Sequence, residues 1–177
     1  MASILAFAGS NSSTSVNFKL VKYTSSQISG HEANLLNMAN HTFPMYSEDR
    51  EKQLGFPEAI DEIKKKITDV DALIISVNEH NGGPSAYFKN FLDWLSRLDR
   101  NPLENKKVFL MSTSPGKRGA VGAHEYIKNT LPRVGAVVVS TFSLPSFYTN
   151  FDEVKGIVNT ELSESHTLAL ESFISEL

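Results

Sequence analysis

The chain is 177 residues long with 41% apolar and 21% charged residues, the values of a globular chain with room for one buried core rather than two. Seventeen Lys and Arg against twenty Asp and Glu leave a net charge of −3, which argues against a dedicated nucleic-acid or anionic-membrane surface. Cysteine is absent, so disulfides, thiolate nucleophiles, thiolate zinc sites and iron–sulfur clusters are excluded.

Residues 4–8 form the first continuous apolar run, the pattern of a strand covered on both faces. The first nine residues carry no basic leader, and their apolar run is too short for a signal peptide, so a soluble, cytoplasmic protein is expected. A polar run from Gly9 to Asn17 follows, with a helix expected from about Ser15. Gly9 permits a sharp turn, and Ser10, Ser12 and Ser15 offer hydroxyls ahead of the helix start. The run reads either as a phosphate cradle, built with unpaired helix amides, or as a solvated loop whose Ser15 or Thr14 caps the helix. Neither the nucleoside-triphosphate nor the dinucleotide glycine fingerprint is present.

Residues 33–37 make a weaker strand candidate, and residues 41–56, with Pro44 and Gly55, read as a long irregular loop of the functional or oligomeric kind. Ile60, Ile63, Ile67 and Val70 then share one helical face, with Asp61, Glu62, Lys64, Lys65 and Lys66 towards water. The second continuous run, residues 72–77, ends in Asn78-Glu79-His80-Asn81-Gly82-Gly83-Pro84-Ser85. Rigid amides in such a loop suit a flat heterocycle. An acid/base pair of Glu79 and His80 competes with a plain turn, because adjacent side chains point apart. The next helix carries Phe88, Phe91, Leu92, Leu95 and Leu98 on one side, and Trp94 beside that stripe reads as core or subunit contact.

Residues 108–111 are a third strand, followed by Ser112-Thr113-Ser114-Pro115-Gly116-Lys117-Arg118-Gly119 and a further helix. Lys117 and Arg118 face either a ligand phosphate or water. Residues 136–139 are a fourth such run. The uncharged stretch 134–151 contains Pro145 and several Ser and Thr residues, so it reads as strand and loop rather than a membrane span. A last helix is expected over 163–177. His31, His41, His80, His124 and His166 lack metal-ligand spacing, so no metal site is expected, and no G-x-S-x-G elbow exists. The alternation of strand and helix specifies one α/β domain, residues 1–177, a doubly wound parallel sheet between two helical layers. In such sheets ligands bind beyond the C-terminal strand ends, where the three unusual loops lie.

Together the three loops resemble the NADPH-dependent FMN reductase family, flavodoxin-like proteins that include chromate- and azo-reductase-like members. Gly9, Ser10, Ser15 and Asn17 match the family's G-S-x-R-x-x-S-x-N, with Ser12 at the arginine position. Glu79, Asn81, Gly82, Lys89, Asn90, Asp93 and Trp94 match P-E-Y-N-G-S-x-P-G-x-L-K-N-x-x-D-W; Asn78, His80, Gly83, Ser85 and Ala86 depart from it. Ser112, Ser114, Gly116 and Gly119 match S-x-S-x-G-x-x-G-G, with Ala120 replacing the last glycine.

The resemblance implies a five-stranded sheet of order 2-1-3-4-5 binding FMN. The phosphate would lie against Gly9, Ser10, Ser12, Ser15, Val16 and Asn17, and the ring against Asn78, Glu79, His80, Asn81 and Gly82. Ser112, Ser114, Gly116 and Gly119 would close the remaining edge. It further implies NADPH or NADH as cosubstrate, an acceptor such as a quinone, free flavin, azo compound or metal oxyanion, and a homodimer or homotetramer. His80 is the candidate proton donor, the flavin itself carrying the chemistry. Serine in place of arginine implies looser FMN, since a hydrogen bond to a charged group contributes roughly 1.5–3 kcal/mol. Two other readings stand beside this one: a flavin carrier or sensor with little turnover, and a non-flavin nucleoside-processing enzyme using Glu79 as nucleophile or acid.

Overall fold

The computed structural model describes residues 1–177. Five strands, β1 (Ser3–Ala8), β2 (Glu32–Leu36), β3 (Ala72–Val77), β4 (Lys107–Thr113) and β5 (Val137–Leu144), form one sheet. All pairings are parallel and the order is β2-β1-β3-β4-β5, the flavodoxin-like arrangement expected from the resemblance. The principal helices are α1 (Val16–Ser26), α2 (Glu48–Leu54), α3 (Glu58–Thr68), α4 (Ala86–Leu98), α5 (Val121–Thr130) and α6 (Thr160–Ser175).

Side chains alternate across a strand, so each central strand fills the apolar layers on both faces of the one sheet. Leu73, Ile75 and Val77 join Leu5, Phe7, Val108 and Leu110 beneath α3, α4 and α5. Ala72 and Ile74 join Ile4, Ala6, Phe109 and Met111 on the opposite face, beneath Leu20 and Val21 of α1 and Leu170 and Phe173 of α6. The edge strand β2 buries only Leu36, which is why its apolar signal is weak in the sequence. No helix is long and apolar enough to cross a membrane.

Two expectations need correction. The stretch 41–56 is not wholly irregular, because it contains α2. Ser47 caps it by accepting from Arg50 N at 3.2 Å, and Glu48, Asp49 and Glu51 complement its N-terminal dipole. No residue of α2 is buried, so there is no apolar stripe to reveal it. The last helix begins at Thr160 rather than 163, capped by Asn159 accepting from Leu162 N at 3.0 Å.

The segment before α2 is fastened to α4. Pro44 O accepts from Asn90 Nδ2 at 2.9 Å and from Trp94 Nε1 at 2.8 Å, and Tyr46 N donates to Asn90 Oδ1 at 2.7 Å. Trp94 is fully buried in the core, its indole N–H satisfied by that carbonyl.

Candidate functional site

At the C-terminal edge of the sheet, the loops after β1, β3 and β4 wall an open cleft of about 230 Å³. Ser10, Ser12, Thr14, Ser15, Val16 and Asn17 come from the first loop and the start of α1. Asn78, Glu79 and His80 come from the second, Thr113, Ser114 and Pro115 from the third, and Tyr148 from the segment after β5. Of the residues singled out by sequence, Ser10, Ser12, Ser15, Val16, Asn17, Asn78, Glu79, His80 and Ser114 therefore share one cavity. Gly9, Asn81, Gly82, Ser112, Gly116 and Gly119 lie outside its walls and build the loops that carry them.

The first loop is held from below. A Cβ on Gly9 would lie 2.6 Å from the Phe88 ring, so only glycine lets β1 end against α4. Ser85 caps α4 by accepting from Phe88 N at 3.1 Å and donates to Gly9 O at 3.0 Å, fixing the two loops to each other. Ser10 Oγ accepts from Ser12 N at 3.2 Å, and Ser15 Oγ accepts from Phe18 N at 3.2 Å. Both hydroxyl protons stay available. The first intrahelical bond that starts α1 runs from Lys19 N to Ser15 O, so the amides of Val16 and Asn17 have no protein acceptor.

Asn17 occupies the cradle differently from its serine neighbours. Its side chain is buried and donates to Thr113 O at 3.0 Å, while its Oδ1 accepts from Ser76 Oγ at 2.8 Å and Thr113 N at 3.0 Å. It ties α1 to the ends of β3 and β4, leaving its backbone N–H without a protein acceptor.

The second loop is a tight hairpin. Glu79–His80 pairs antiparallel with Gly83–Pro84, and Asn81 (φ 53°) with Gly82 (φ 80°) forms the turn. Positive φ at both central residues is the conformation that Asn-Gly favours in two-residue hairpins, a signal that was present in the sequence. Glu79 Oε2 accepts from Ala123 N at 3.0 Å, so this carboxylate caps the first turn of α5. That engagement is electrostatically favourable at a helix N-terminus and gives no support to Glu79 as a nucleophile. A Cβ on Gly122 would meet Gly82 O at 2.5 Å and Glu79 Oε2 at 2.9 Å, so the hairpin rests directly on α5. Asn78 Oδ1 is buried without a hydrogen-bond partner at the cleft wall.

The third loop is braced by its own polar groups. Gly119 O accepts from Ser112 Oγ at 2.7 Å and from Ser143 Oγ at 2.8 Å. His124 Nδ1 lies 3.1 Å from Ser112 Oγ, and burial holds this imidazole below the usual histidine range. With Ser112 donating to the carbonyl, His124 Nδ1 supplies the proton between them. Ser112 is thus a buried brace rather than a cleft wall. Gly119 adopts φ 58°, where a Cβ would lie 2.4 Å from Ser143 Oγ. Lys117 and Arg118 are exposed and do not line the cleft. Tyr148, which follows the buried Phe147, belongs to no motif legible in the sequence. No group of histidine and acidic side chains is placed to hold a metal ion.

The family model described as NADPH-dependent FMN reductase matches residues 2–149. The chain belongs to that family. It is 30% identical over 97 residues to a quinone reductase of Escherichia coli K12, covering 55% of this chain and 52% of that protein. It is 33% identical over 88 residues to an NAD(P)H-dependent FMN reductase of Pseudomonas aeruginosa, covering 50% and 47%. The chain thus spans about half the length of these curated relatives. Among solved structures, the flavoenzyme NAD(P)H:(acceptor) oxidoreductase FerB of Paracoccus denitrificans superposes with a TM-score of 0.79 at 25% identity, over 99% of this chain and 96% of that one.

The cleft fits the flavin mononucleotide that the family's description names. A phosphate needs converging donors, and the free amides of Val16 and Asn17 with the hydroxyls of Ser10 and Ser15 supply them. A flat ring needs a rigid polar edge, and the hairpin, fixed on α5 through Glu79 and Gly122, provides one with the unpartnered Asn78 amide at its foot.

Proposed function

We propose that this chain is an FMN-dependent NAD(P)H oxidoreductase, a single flavin-binding domain acting in the cytoplasm as a homo-oligomer. The observation that carries the reading is the convergence of the three strand-end loops on one cleft with unpartnered donors at the α1 start. Bound FMN would supply the chemistry, taking a hydride from NADPH or NADH and passing it to an acceptor such as a quinone, free flavin, azo compound or metal oxyanion.

The protein's own contribution is to bind and orient. Ser10, Ser15 and the amides of Val16 and Asn17 hold the phosphate end. The hairpin from Asn78 to Gly82 and the Ser114 edge fix the ring plane. His80 is exposed at the cleft wall, where its imidazole can exchange protons with solvent and with a reduced acceptor. The name of the quinone reductase of Escherichia coli supports a quinone-type acceptor, and that of FerB supports an NAD(P)H-dependent flavoenzyme.

The test is the absorption spectrum of the purified protein, followed by FMN and NADPH or NADH under anaerobic conditions. A bound flavin that bleaches on adding NADPH or NADH and recolours on adding a quinone supports the enzyme. A flavin that binds but is not reduced would make the chain a carrier. No flavin binding at all would refute both.

A further inference from the structure

The cleft that would receive the phosphate contains no lysine or arginine. A phosphate there must be held by neutral donors, and each donor to a charged oxygen contributes more than an ordinary hydrogen bond. One further donor projects into the same cleft. Tyr148 is 73% exposed, yet its backbone is fixed from several directions. Ser146 N donates to Gly116 O at 2.9 Å and Phe147 N donates to Ser114 O at 3.0 Å. Phe147 is buried, stacked on Phe151 at 4.7 Å and edge-on to Tyr148 at 5.6 Å. Ser146 holds a left-handed φ of 46°, a conformation costly for a non-glycine residue.

The chain beyond Tyr148 returns to α1. Phe151 packs edge-on to Tyr23 at 5.7 Å, Glu153 pairs with Lys19, and a Cβ on Gly156 would collide with the Tyr23 ring. Tyr148 is thereby carried on a segment anchored to both the third loop and α1, and it lines the same cleft as Ser15, Val16 and Asn17. Apart from its edge-on contact with Phe147, this exposed ring has no aromatic packing partner.

We propose that Tyr148 is a cofactor-binding residue whose phenol donates to the FMN phosphate and so discriminates FMN from riboflavin. This rests on the flavin reading above. Tyrosine suits the role because only two side-chain torsions must be ordered and its hydroxyl reaches well beyond the backbone.

The test titrates flavin-free protein with FMN and, separately, with riboflavin, following flavin fluorescence, for wild type, Tyr148→Phe and Ser12→Arg. Tyr148→Phe should weaken FMN about tenfold or more and leave riboflavin within about twofold. Wild-type FMN affinity should change little between about 50 mM and about 500 mM salt, whereas Ser12→Arg should tighten FMN and introduce a salt dependence. Unchanged FMN affinity in Tyr148→Phe, equal weakening of riboflavin, or a steep salt dependence in wild type would overturn the assignment. Riboflavin binding as tightly as FMN to wild type would also overturn it while leaving the flavin reading intact. Wild type that binds neither flavin would sink the flavin reading, and this assignment with it.

Discussion

Asn17 separates a brace from a ligand, and its removal gives the most informative stability experiment. Asn17→Ala deletes three hydrogen bonds, to Thr113 O, Thr113 N and Ser76 Oγ. Ser76 and Thr113 are essentially inaccessible, so water cannot replace the lost partner. A buried polar group left unsatisfied costs about 1–3 kcal/mol, so the variant should lose roughly 3–5 kcal/mol in total. That is a large part of the ~5–15 kcal/mol by which domains are usually stable. With a urea dependence of about 2 kcal/mol per molar, the midpoint should fall by roughly 2 M. In the proposed site the Asn17 backbone N–H, not the side chain, meets the phosphate, so FMN affinity of the folded fraction should fall by less than about tenfold. A midpoint lowered by less than about 0.5 M, together with an FMN affinity reduced far beyond tenfold, would refute the brace and make the side chain a direct ligand.

Gly122→Ala introduces a methyl against Gly82 O and Glu79 Oε2, so the hairpin must move off α5. FMN affinity should drop at least about tenfold while the circular dichroism spectrum is retained, and unchanged affinity would show that the hairpin position does not govern the ring site. Glu79→Ala leaves Ala123 N without its acceptor and should lower stability by about 1–2 kcal/mol in urea unfolding, with no gain from restoring an unrelated carboxylate elsewhere on α5. His166 is 1% exposed, and burial lowers its folded pKa to about 4 from an ordinary value near 6.5. The unfolded state therefore binds the extra proton first, and stability is lost as pH falls from about 6.5 to about 4, by at most roughly 3 kcal/mol. Urea unfolding across that range should show the decline, and His166→Leu should flatten part of it; an unaltered profile would remove His166 as its source.

Much of the fold was legible because the central strands are covered on both faces. Residues 72–77 carry no polar side chain except Ser76, and the strand occupies that run from end to end. The less legible parts lack such a signal. The helix α2 buries nothing, and only its Ser47 cap and Gly55 terminus mark it. The site was legible as three loops, since residue types at strand ends show what chemistry a loop can offer. They do not show which polar groups the fold itself engages. Asn17 meets Thr113 across 96 positions, Glu79 meets Ala123 across 44, and Ser112 meets Ser143 across 31. Such partners arise only when distant strand ends are brought side by side. Tyr148 escaped notice for the same reason: its neighbourhood is made by Ser114, Gly116 and α1, none of them near it in the chain.

Backbone amide shifts in isotope-labelled, flavin-free protein titrated with FMN test the central claim most directly. The account predicts saturation at one equivalent, with the largest changes at Ser10, Ser12, Val16, Asn17, His80, Asn81 and Ser114. Changes confined to the separate groove lined by Lys22, Tyr23 and Lys155, or no saturable change at all, would contradict it.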